Sequence, residues 1–432
     1  MTTSYDTTIQ MLGPPRVSTP LPLCRQIHNQ ETVTMNLDPE VIGEEPNGPI
    51  PLEIEVAGPR ANLFFDPSKT KCAIVTCGGL CPGINDVIRA IVMEAHHNYK
   101  VPSVLGIRYG LQGFIPEYGH AVEELTPDSV SHIHEFGGTI LASSRGPQPP
   151  EDIVDAMERM NISILFMIGG DGTMKAAQAI QEEINKRDNK MSIIGIPKTI
   201  DNDVHFVSKT FGFDSAVEKA TEAIRCAHAE ALGAPNGIGM VKVMGRESGF
   251  IAAQATIALK EVNYVLIPES KFHLHGPNGL LAHLDRRLKK RGHAVIVVAE
   301  GAGQELFERL GADPSGNIIL GDICSLLKEQ ILQYFRQKEI DITLKFIDPS
   351  YIIRSIPANS NDRVYCGFLG QHAVHAGMAG KTSAVVSMLQ DKYIYLPLSL
   401  VTQKRKTLNT NSNYWGSVVA STGQPFSMLN EE

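Results

Sequence analysis

Two strand–turn–helix patterns constrain the fold of this chain more than any other feature of its sequence. In the first, an apolar run at 72–77 leads into a glycine-rich turn at 78–83, and apolar residues then recur at helical spacing over 84–95. In the second, the apolar run 163–168 leads into Gly-Gly-Asp-Gly-Thr at 169–173, and a helix is predicted over 174–186. Strands that alternate with helices are typical of parallel sheets covered by helices on both faces. The sequence therefore predicts an α/β fold.

Further segments repeat this alternation of apolar runs and amphipathic stretches. Apolar runs predict additional strands at 102–110, 139–146, 191–196, 237–244, 264–268 and 294–299. Helical spacing predicts long helices at 214–231 and 322–338. Residues 1–68 are rich in proline and show little periodicity, which indicates an arm or extension rather than a domain.

The composition excludes several classes of protein. A chain of 432 residues, 43% hydrophobic and 20% charged, has the make-up of a globular enzyme with two or three domains. Its net charge of −8 gives no support to nucleic-acid binding. No apolar run reaches the ~18 residues that a membrane span needs, and no secretory signal is recognisable at the N-terminus. Seven scattered cysteines indicate reduced thiols, so we expect a cytoplasmic protein.

The two glycine turns are candidate phosphate sites. Glycines let the backbone approach an anion, and the N–H groups at the start of a helix point towards it. For 78–83, a plain tight turn is an equally good interpretation. For 169–173, Asp171 between glycines can reach a cation that bridges phosphates, which suits Mg²⁺. Thr173 can cap the helix or bind phosphate.

The segment 196–203 combines a lysine, a threonine and two carboxylates directly after a predicted strand. Asp201 and Asp203 share a side if the segment is extended, and they diverge if it forms a turn. One carboxylate can take a proton while the other binds substrate or metal. The alternative is an ordinary turn, because Asp and Asn favour turns.

Other charged residues close predicted strands or helices. Arg145, Arg246 and Glu300 each follow an apolar run, where they can bind phosphate or sugar hydroxyls or be simple solvated charges. His372 and His375 share a helix face, and packing explains them better than metal binding. The basic triplet 404–406 is too short to indicate nucleic acid.

Together and in this order, the segments 78–83, 169–173, 197–203 and 244–246 resemble the 6-phosphofructokinase family, from about residue 71 to about residue 406. The branch resembles the ATP-using enzymes of plants and kinetoplastids that are related to the pyrophosphate-dependent ones. The resemblance implies two doubly wound Rossmann-like domains with the active site in the cleft. It also implies a homotetramer, a dimer of dimers, that phosphorylates fructose 6-phosphate. The predicted parts are an N-terminal extension at 1–68, a nucleotide-binding domain at 69–212 completed by 355–400, a fructose-6-phosphate-binding domain at 213–354, and a C-terminal extension at 401–432.

The resemblance also assigns site residues. It places ATP at a set of turn residues, with Mg²⁺ on Asp171: Gly79, Arg145, Gly146, Gly170, Asp171, Gly172 and Thr173. It implies Asp201 as the catalytic base, with Lys198 and Arg246 as catalytic cations. It places fructose 6-phosphate at Thr199, Ile200, Asp201, Asp203, Met244, Gly245, Arg246, Glu300, Tyr351, Ile352, Ile353 and Arg354.

Two positions give conflicting indications about the phosphoryl donor. Pyrophosphate-dependent relatives carry an aspartate where this chain has Gly172, and a carboxylate there would repel the α-phosphate of ATP. Lys198, in contrast, agrees with the pyrophosphate enzymes. We give Gly172 more weight, because a clash excludes a substrate whereas an added cation only assists one.

The sequence is also compatible with other functions, and it differs from the bacterial enzymes of the family. A pyrophosphate-dependent enzyme is the first alternative, followed by a non-catalytic nucleotide-binding subunit and by a lipid or NAD kinase. Gly237 stands where bacterial enzymes have an arginine that a neighbouring subunit contributes, and Lys345 can replace part of that charge. The bacterial effector site is not recognisable, so allosteric regulation is left open.

Overall fold

The structure, a computed structural model, describes residues 5–21, 26–28, 31–37, 50–308, 311 and 318–430. The chain forms two compact units. The first comprises Met1–Thr199, Val204–Gly212 and Ser355–Arg405, and the second comprises Ile200–Asp203, Phe213–Arg354 and Lys406–Glu432.

Among the described residues, a nine-stranded sheet forms the centre of the first unit. In spatial order its strands are Thr32–Leu37, Ile50–Val56, Lys392–Pro397, Ala384–Leu389, Ser192–Pro197, Ile164–Gly169, Lys71–Thr76, Ser103–Ile107 and Val122–Glu124. The strands from Ala384–Leu389 to Ser103–Ile107 in this order are parallel, and the others join antiparallel. The parallel strands are apolar and buried along most of their length, as expected for strands covered on both faces.

Helices cover both faces of this sheet. Leu165 shares a core with Ile153 and Met174, which lie on the helices Pro150–Met160 and Asp171–Lys186. The neighbouring Ile164 points to the other face, where it contacts Gly377 of another helix. The helices on that face are Ile84–Met93 and Ser360–Met378, which pack against each other. The predicted doubly wound α/β fold is confirmed for this unit.

The segment predicted as an N-terminal extension contributes strands to the sheet. Ile50–Val56 pairs with Lys392–Pro397, and its alternate residues Leu52 and Ile54 are buried. The other short strands among the described residues of the unit are Gln10–Met11, Val17–Ser18, Asn62–Leu63 and Lys381–Thr382. The proline content of 1–68 hid this alternation, which identifies a half-buried strand.

A buried ion network fixes this segment to the body of the first unit. Glu55 accepts a hydrogen bond from Arg60 at 2.6 Å and lies 2.5 Å from the ammonium of Lys381. The side chains of Arg60 and Lys381 are 4% and 3% exposed. Burial lowers the pKa of Lys381, and the carboxylate of Glu55 opposes that shift. Glu55 is thus the carboxylate that makes two buried cations tolerable.

We therefore expect Glu55→Gln to destabilise the protein by about 3–5 kcal/mol, because the amide leaves two buried positive charges uncompensated. Urea unfolding followed by circular dichroism measures this loss. Glu53→Gln is the matched control, since Glu53 lies two residues earlier on the same strand and bonds only exposed threonine hydroxyls in the described contacts. Equal unfolding midpoints for the two variants would contradict this role of Glu55.

In the described part of the second unit, a four-stranded parallel sheet forms the centre. Its order is Tyr264–Leu266, His293–Ala299, Gly237–Val243 and Thr343–Ile347. Within the ranges that the structure describes, the helices of the unit are Phe213–Leu232, Phe250–Leu259, Leu280–Arg291, Ile323–Gln337, Ser350–Ser355 and Asn413–Thr422. The last residue of the helix Ser350–Ser355 belongs to the first unit. The helices predicted at 214–231 and 322–338 are confirmed within one residue at each end.

Gly237 owes its identity to helix packing in this unit. A Cβ at Gly237 would overlap the backbone of Ala231, and one at Gly239 would overlap Ala227. The helix Phe213–Leu232 therefore lies directly on the strand, which only glycines permit. An arginine at position 237 would require this helix to move.

The strand predicted at 139–146 is wrong. The segment is a turn followed by irregular backbone, and Ala142 has a left-handed φ of 54°. The hydroxyl of Thr76 donates to the carbonyl of Ala142 at 2.6 Å, and Tyr109 N–H donates to the carbonyl of Leu141. The segment crosses the ends of two strands, so contacts with those strands override its local strand propensity.

In the part of the chain that the structure describes, no helix has both the length and the apolar content needed to cross a membrane.

Candidate active site

The first glycine turn connects the strand Lys71–Thr76 to the helix Ile84–Met93. Gly78 has a φ of 83°, its N–H donates to the carbonyl of Ser144 at 3.1 Å, and its carbonyl accepts from Ser143 Oγ at 2.7 Å. Gly83 is the N-cap of the helix, with a φ of 99° and no side-chain cap. The turn is therefore tied to the 143–144 segment at Gly78 and ends at a helix N-terminus without a side-chain cap, which suits an anion.

Arg145 lies next to this turn. Its Nη2 atom is 3.5 Å from the point where a Cβ of Gly79 would stand. The following Gly146 has a φ of 94°, and a Cβ there would meet nothing within 4 Å. The structure thus brings together Gly79 and Arg145, two of the predicted nucleotide-binding residues, by bending the 139–146 segment over the sheet.

The second glycine turn connects the strand Ile164–Gly169 to the helix Asp171–Lys186. Gly170 is the N-cap and no side chain caps the helix, so the cap suggested for Thr173 is wrong. Thr173 instead is buried and packs directly against Gly169. A Cβ on Gly172 would meet nothing within 4 Å, so this position of the first helical turn is open.

Asp171 lies between two cations at the start of this helix. Its Oδ2 atom is 2.9 Å from Lys175 Nζ and 3.6 Å from Arg405 Nε, and its side chain is 9% exposed. Sequence reasoning missed Arg405, because nothing in the triplet 404–406 shows which residue the fold brings near. The contact joins two residues that are 234 positions apart in the chain, the difference between 405 and 171.

The residues around Asp171 suit Mg²⁺ that is bound together with substrate phosphates, and not a metal held by protein side chains alone. Among the described residues, no cluster of three histidine, cysteine, aspartate or glutamate side chains could hold a metal. Mg²⁺ is typically bound by one or two carboxylates together with substrate phosphates and waters. A single carboxylate beside an open glycine turn fits this combination of carboxylate, phosphate and water ligands.

Lys198 connects the two glycine turns of the first unit. Its N–H donates to the carbonyl of Gly169 at 2.9 Å, and its Nζ donates to the carbonyl of Gly79 at 2.6 Å. The residue is 5% exposed. Burial raises the pKa of the nearby Cys77 thiol to about 12, and the charge of Lys198 opposes this shift. Lys198 is therefore a buried cation in contact with the first turn and bonded through its backbone to the second.

Directly after Thr199, the chain enters the second unit as a turn. Asn202 has a left-handed φ of 55°, so Asp201 and Asp203 do not lie on an extended segment. The carbonyl of Asp201 accepts from Ser248 Oγ at 3.1 Å, and the carbonyl of Asp203 accepts from Lys406 N–H at 2.9 Å. The two carboxylates are thus held on a turn that is anchored through its backbone.

The segment 244–249 forms a tight turn after the strand Gly237–Val243. Gly245 has a φ of 129°, and a Cβ there would overlap the carbonyl of Ser248. The carbonyl of Gly245 accepts from Gly301 N–H at 3.0 Å, which places this turn beside Glu300. Arg246 donates from Nη2 to the carbonyl of Ile318 at 2.5 Å. Met244, Gly245 and Arg246 therefore share one strand end with the predicted Glu300.

Glu300 lies among charges of both signs. Burial raises its pKa, Arg246 and Lys242 oppose that shift, Asp348 adds to it and Arg354 opposes it. Lys242 Nζ is 3.3 Å from Asp348 Oδ2. Sequence reasoning missed Lys242, although a single charged residue in the apolar strand Gly237–Val243 is a signal that could have identified it.

The predicted residues 351–354 lie on the helix Ser350–Ser355 with different exposures. Tyr351 is 76% exposed and Arg354 stacks over its ring at 4.7 Å. Ile352 is exposed and Ile353 is fully buried, so the side chain of Ile353 packs inside the unit. The charge of Arg354 opposes the rise in the pKa of Glu300.

The predicted site residues are thus divided between the two units. The first unit holds Gly79, Arg145, Gly146, Gly170, Asp171, Gly172, Thr173, Lys198 and Thr199. The second unit holds Ile200, Asp201, Asp203, Met244, Gly245, Arg246, Glu300 and 351–354. The active-site cleft expected from the resemblance stays a prediction.

His372 and His375 lie inside the first unit on the helix Ser360–Met378. His375 Nδ1 is 2.8 Å from the hydroxyl of Tyr99, and the carbonyl of His372 accepts from Tyr395 at 3.0 Å. Burial lowers the pKa of His372 to about 4 and that of His375 to about 3. Both rings are therefore neutral near pH 7 and take part in packing.

Known proteins similar to this chain are phosphofructokinases. The chain is 51% identical over 385 residues to the ATP-dependent 6-phosphofructokinase of Borreliella burgdorferi, covering 87% of this chain and 86% of that protein. It is 46% identical over 373 residues to ATP-dependent 6-phosphofructokinase 5, chloroplastic, of Arabidopsis thaliana, covering 86% and 69%. It is 43% identical over 383 residues to the ATP-dependent 6-phosphofructokinase of Trypanosoma brucei brucei, covering 88% and 78%.

A solved structure with the same fold is the pyrophosphate-dependent phosphofructokinase from Marinobacter aquaeolei. Its TM-score is 0.67 at 19% identity, and the match covers 80% of this chain and 87% of that one. The model of the phosphofructokinase family matches residues 71–377, which include both glycine turns and the acidic turn at 201–203. The predicted resemblance, including its plant and kinetoplastid relatives, is confirmed: this chain belongs to the phosphofructokinase family.

Proposed function

We propose that this chain is an ATP-dependent 6-phosphofructokinase, which transfers the γ-phosphoryl group of ATP to the 1-hydroxyl of fructose 6-phosphate. The products are fructose 1,6-bisphosphate and ADP. The observation that carries the proposal is Lys198, a buried cation bonded to both glycine turns and followed three residues later by Asp201. Phosphoryl transfer depends mainly on positioning and electrostatics, and this arrangement supplies both.

In the proposed reaction, the first unit holds the nucleotide. Backbone N–H groups at 78–83 and 169–173 would face its phosphates, with Arg145 and Lys198 offsetting their charge. Asp171 would hold Mg²⁺, which when bound to the phosphates reduces their negative charge. Thr173 would support the turn by packing on Gly169.

The second unit would hold the sugar phosphate and supply the base. Asp201 takes the proton of the 1-hydroxyl while the oxygen of that hydroxyl attacks the γ-phosphorus of ATP. The bond between the γ-phosphorus and the ADP oxygen breaks. Glu300, whose pKa burial raises, would accept sugar hydroxyls, with Arg246 and Arg354 binding the phosphate. Thr199, Ile200, Asp203, Met244 and Gly245 would shape the substrate site.

The choice of ATP rests on two observations. The similar proteins named above carry ATP-dependent names at 43–51% identity, whereas the pyrophosphate-dependent structure is only 19% identical and shows the fold alone. Open space surrounds Gly172, so nothing on the helix crowds a nucleotide there. A pyrophosphate-dependent enzyme remains the second candidate, because Lys198 can neutralise the transferring group of either donor.

An assay with both donors tests the proposal. Purified protein is given fructose 6-phosphate with either ATP or pyrophosphate, and fructose 1,6-bisphosphate is measured. We expect kcat/KM with ATP to exceed that with pyrophosphate at least ~100-fold. A carboxylate at position 172 would repel the α-phosphate of ATP by several kcal/mol, and this chain has a glycine there instead. Activity with pyrophosphate alone would favour the second candidate, and activity with neither donor would indicate a non-catalytic subunit.

We also propose that the protein assembles as a homotetramer in the cytoplasm. Family membership supports a homotetramer built as a dimer of dimers. The six cysteines in the described residues are all thiols, which supports a reducing compartment such as the cytoplasm. An effector screen run with the two-donor assay would address allosteric regulation.

A further inference from the structure

The C-terminal segment at 406–408 lies against the turn that carries Asp201 and Asp203. In the second unit, Lys406 N–H donates to the carbonyl of Asp203 at 2.9 Å. Leu408 N–H donates to Glu269 Oε1 at 2.8 Å, and the same oxygen accepts from Gly249 N–H at 3.0 Å. The segment is therefore bonded to the acidic turn and, through Glu269, to the turn that follows Arg246.

The side chain of Lys406 is placed to act on Asp203. Its ammonium stands 5.1 Å from the centre of the Phe250 ring, which is cation–π distance. Burial lowers the pKa of Lys406 to about 7, and the carboxylate of Asp203 opposes this shift. The aromatic ring and the carboxylate thus attract one ammonium group from within the same unit.

This placement is specific to one lysine of the triplet. Lys404 is exposed, whereas Lys406 is half-buried on the same segment. A half-buried ammonium is costly unless a partner compensates for it, and the carboxylate of Asp203 on the adjoining turn is one such partner. If residues 404–406 were only a solvated run of charges, all three side chains could face water. That interpretation does not explain why the fold buries the lysine that adjoins the acidic turn.

We propose that Lys406 is a positioning residue, which holds Asp203 and the turn carrying Asp201 in the orientation that binds fructose 6-phosphate. The inference rests on the proposed function and extends it to a segment outside the family match at 71–377. Lys406 acts through Asp203 and need not touch the reacting atoms. Its backbone bond fixes the turn, and its charge fixes the carboxylate.

The experiment compares Lys406→Met with Lys406→Arg and with Lys404→Met as the matched control. We expect Lys406→Met to lower kcat/KM for fructose 6-phosphate ~30-fold, as loss of one partly screened charge interaction would, while KM for ATP changes less than ~2-fold. Lys406→Arg keeps the charge and should retain activity within ~5-fold. Lys404→Met should match the unmodified enzyme.

A double-mutant cycle separates positioning from a general effect on folding. In an Asp203→Asn background, the carboxylate is gone, so Lys406→Met should cause less than ~3-fold further loss. An equal ~30-fold loss in both backgrounds would overturn the inference, as would unchanged kinetics of Lys406→Met. If Lys406→Met does not fold, Lys406→Gln replaces it in both arms. Failure of the unmodified enzyme to use ATP with fructose 6-phosphate would instead overturn the proposed function, and the inference with it.

Discussion

Asp201→Asn should lower kcat at least ~10²-fold and leave KM for fructose 6-phosphate and ATP nearly unchanged. The amide has the shape of the carboxylate and cannot take the proton of the sugar hydroxyl. The turn should keep its structure, because Ser248 donates to the backbone carbonyl of Asp201 and not to its side chain. Steady-state kinetics with each substrate varied in turn measure the effect.

The control for this substitution is Asp128→Asn, the same chemical change at an exposed position of the first unit. It should leave both kinetic constants as they are. Turnover by Asp201→Asn close to that of the unmodified enzyme would show that another group takes the proton. A rise in KM with unchanged kcat would assign Asp201 to binding.

Gly172→Asp should lower kcat/KM for ATP at least ~10²-fold. Position 172 lies in the first turn of the helix Asp171–Lys186, where a carboxylate is favourable for helix stability. A Cβ there meets nothing within 4 Å, so the variant should fold. The loss should arise from repulsion between the new carboxylate and the α-phosphate of ATP, with Asp171 already carrying one negative charge beside it.

Gly172→Ala is the control, because it adds the Cβ of the aspartate without its charge. It should keep kcat/KM for ATP within ~5-fold, and replacing glycine in a helix should slightly stabilise the protein. Both variants are assayed with ATP and with pyrophosphate. Full activity of Gly172→Asp with ATP would mean that the donor is selected elsewhere, and equal losses in both variants would indicate a steric effect rather than a charge effect.

These two variants test different halves of the proposed reaction. Asp201 belongs to the second unit and Gly172 to the first, so loss of proton transfer and loss of donor selection are measured independently. If Gly172→Asp gains activity with pyrophosphate, Lys198 is sufficient to support that donor in this chain.

The elements predicted well are those with strong local signals. The strands Ile164–Gly169 and Ser192–Pro197 are apolar throughout, as parallel strands buried on both faces must be, so their sequences identify them. The strands of the N-terminal segment were missed. Their burial pattern alternates, and it becomes meaningful only when Ile50–Val56 pairs with Lys392–Pro397, more than 300 residues later in the chain.

The segment 139–146 shows the opposite error. Its residues have strand propensity, and yet Ala142 adopts a left-handed conformation because Thr76 and Tyr109 bind the carbonyls of this segment. Contacts of this kind are worth more than the small differences between local propensities. The same bend brings Arg145 beside Gly79.

The amino-acid sequence alone determined the α/β class, both glycine turns and the acidic segment at 201–203, because each depends on residues that are neighbours in the chain. Tertiary structure alone decided which partner each cation meets: the carbonyl of Gly79 for Lys198, the carboxylate of Asp171 for Arg405, and Asp203 for Lys406. Local conformation follows from short-range sterics and hydrogen bonding, whereas a charge acquires its partner only when distant segments pack. For that reason a basic triplet that had no recognisable role in the sequence provides two of the cations at the candidate site.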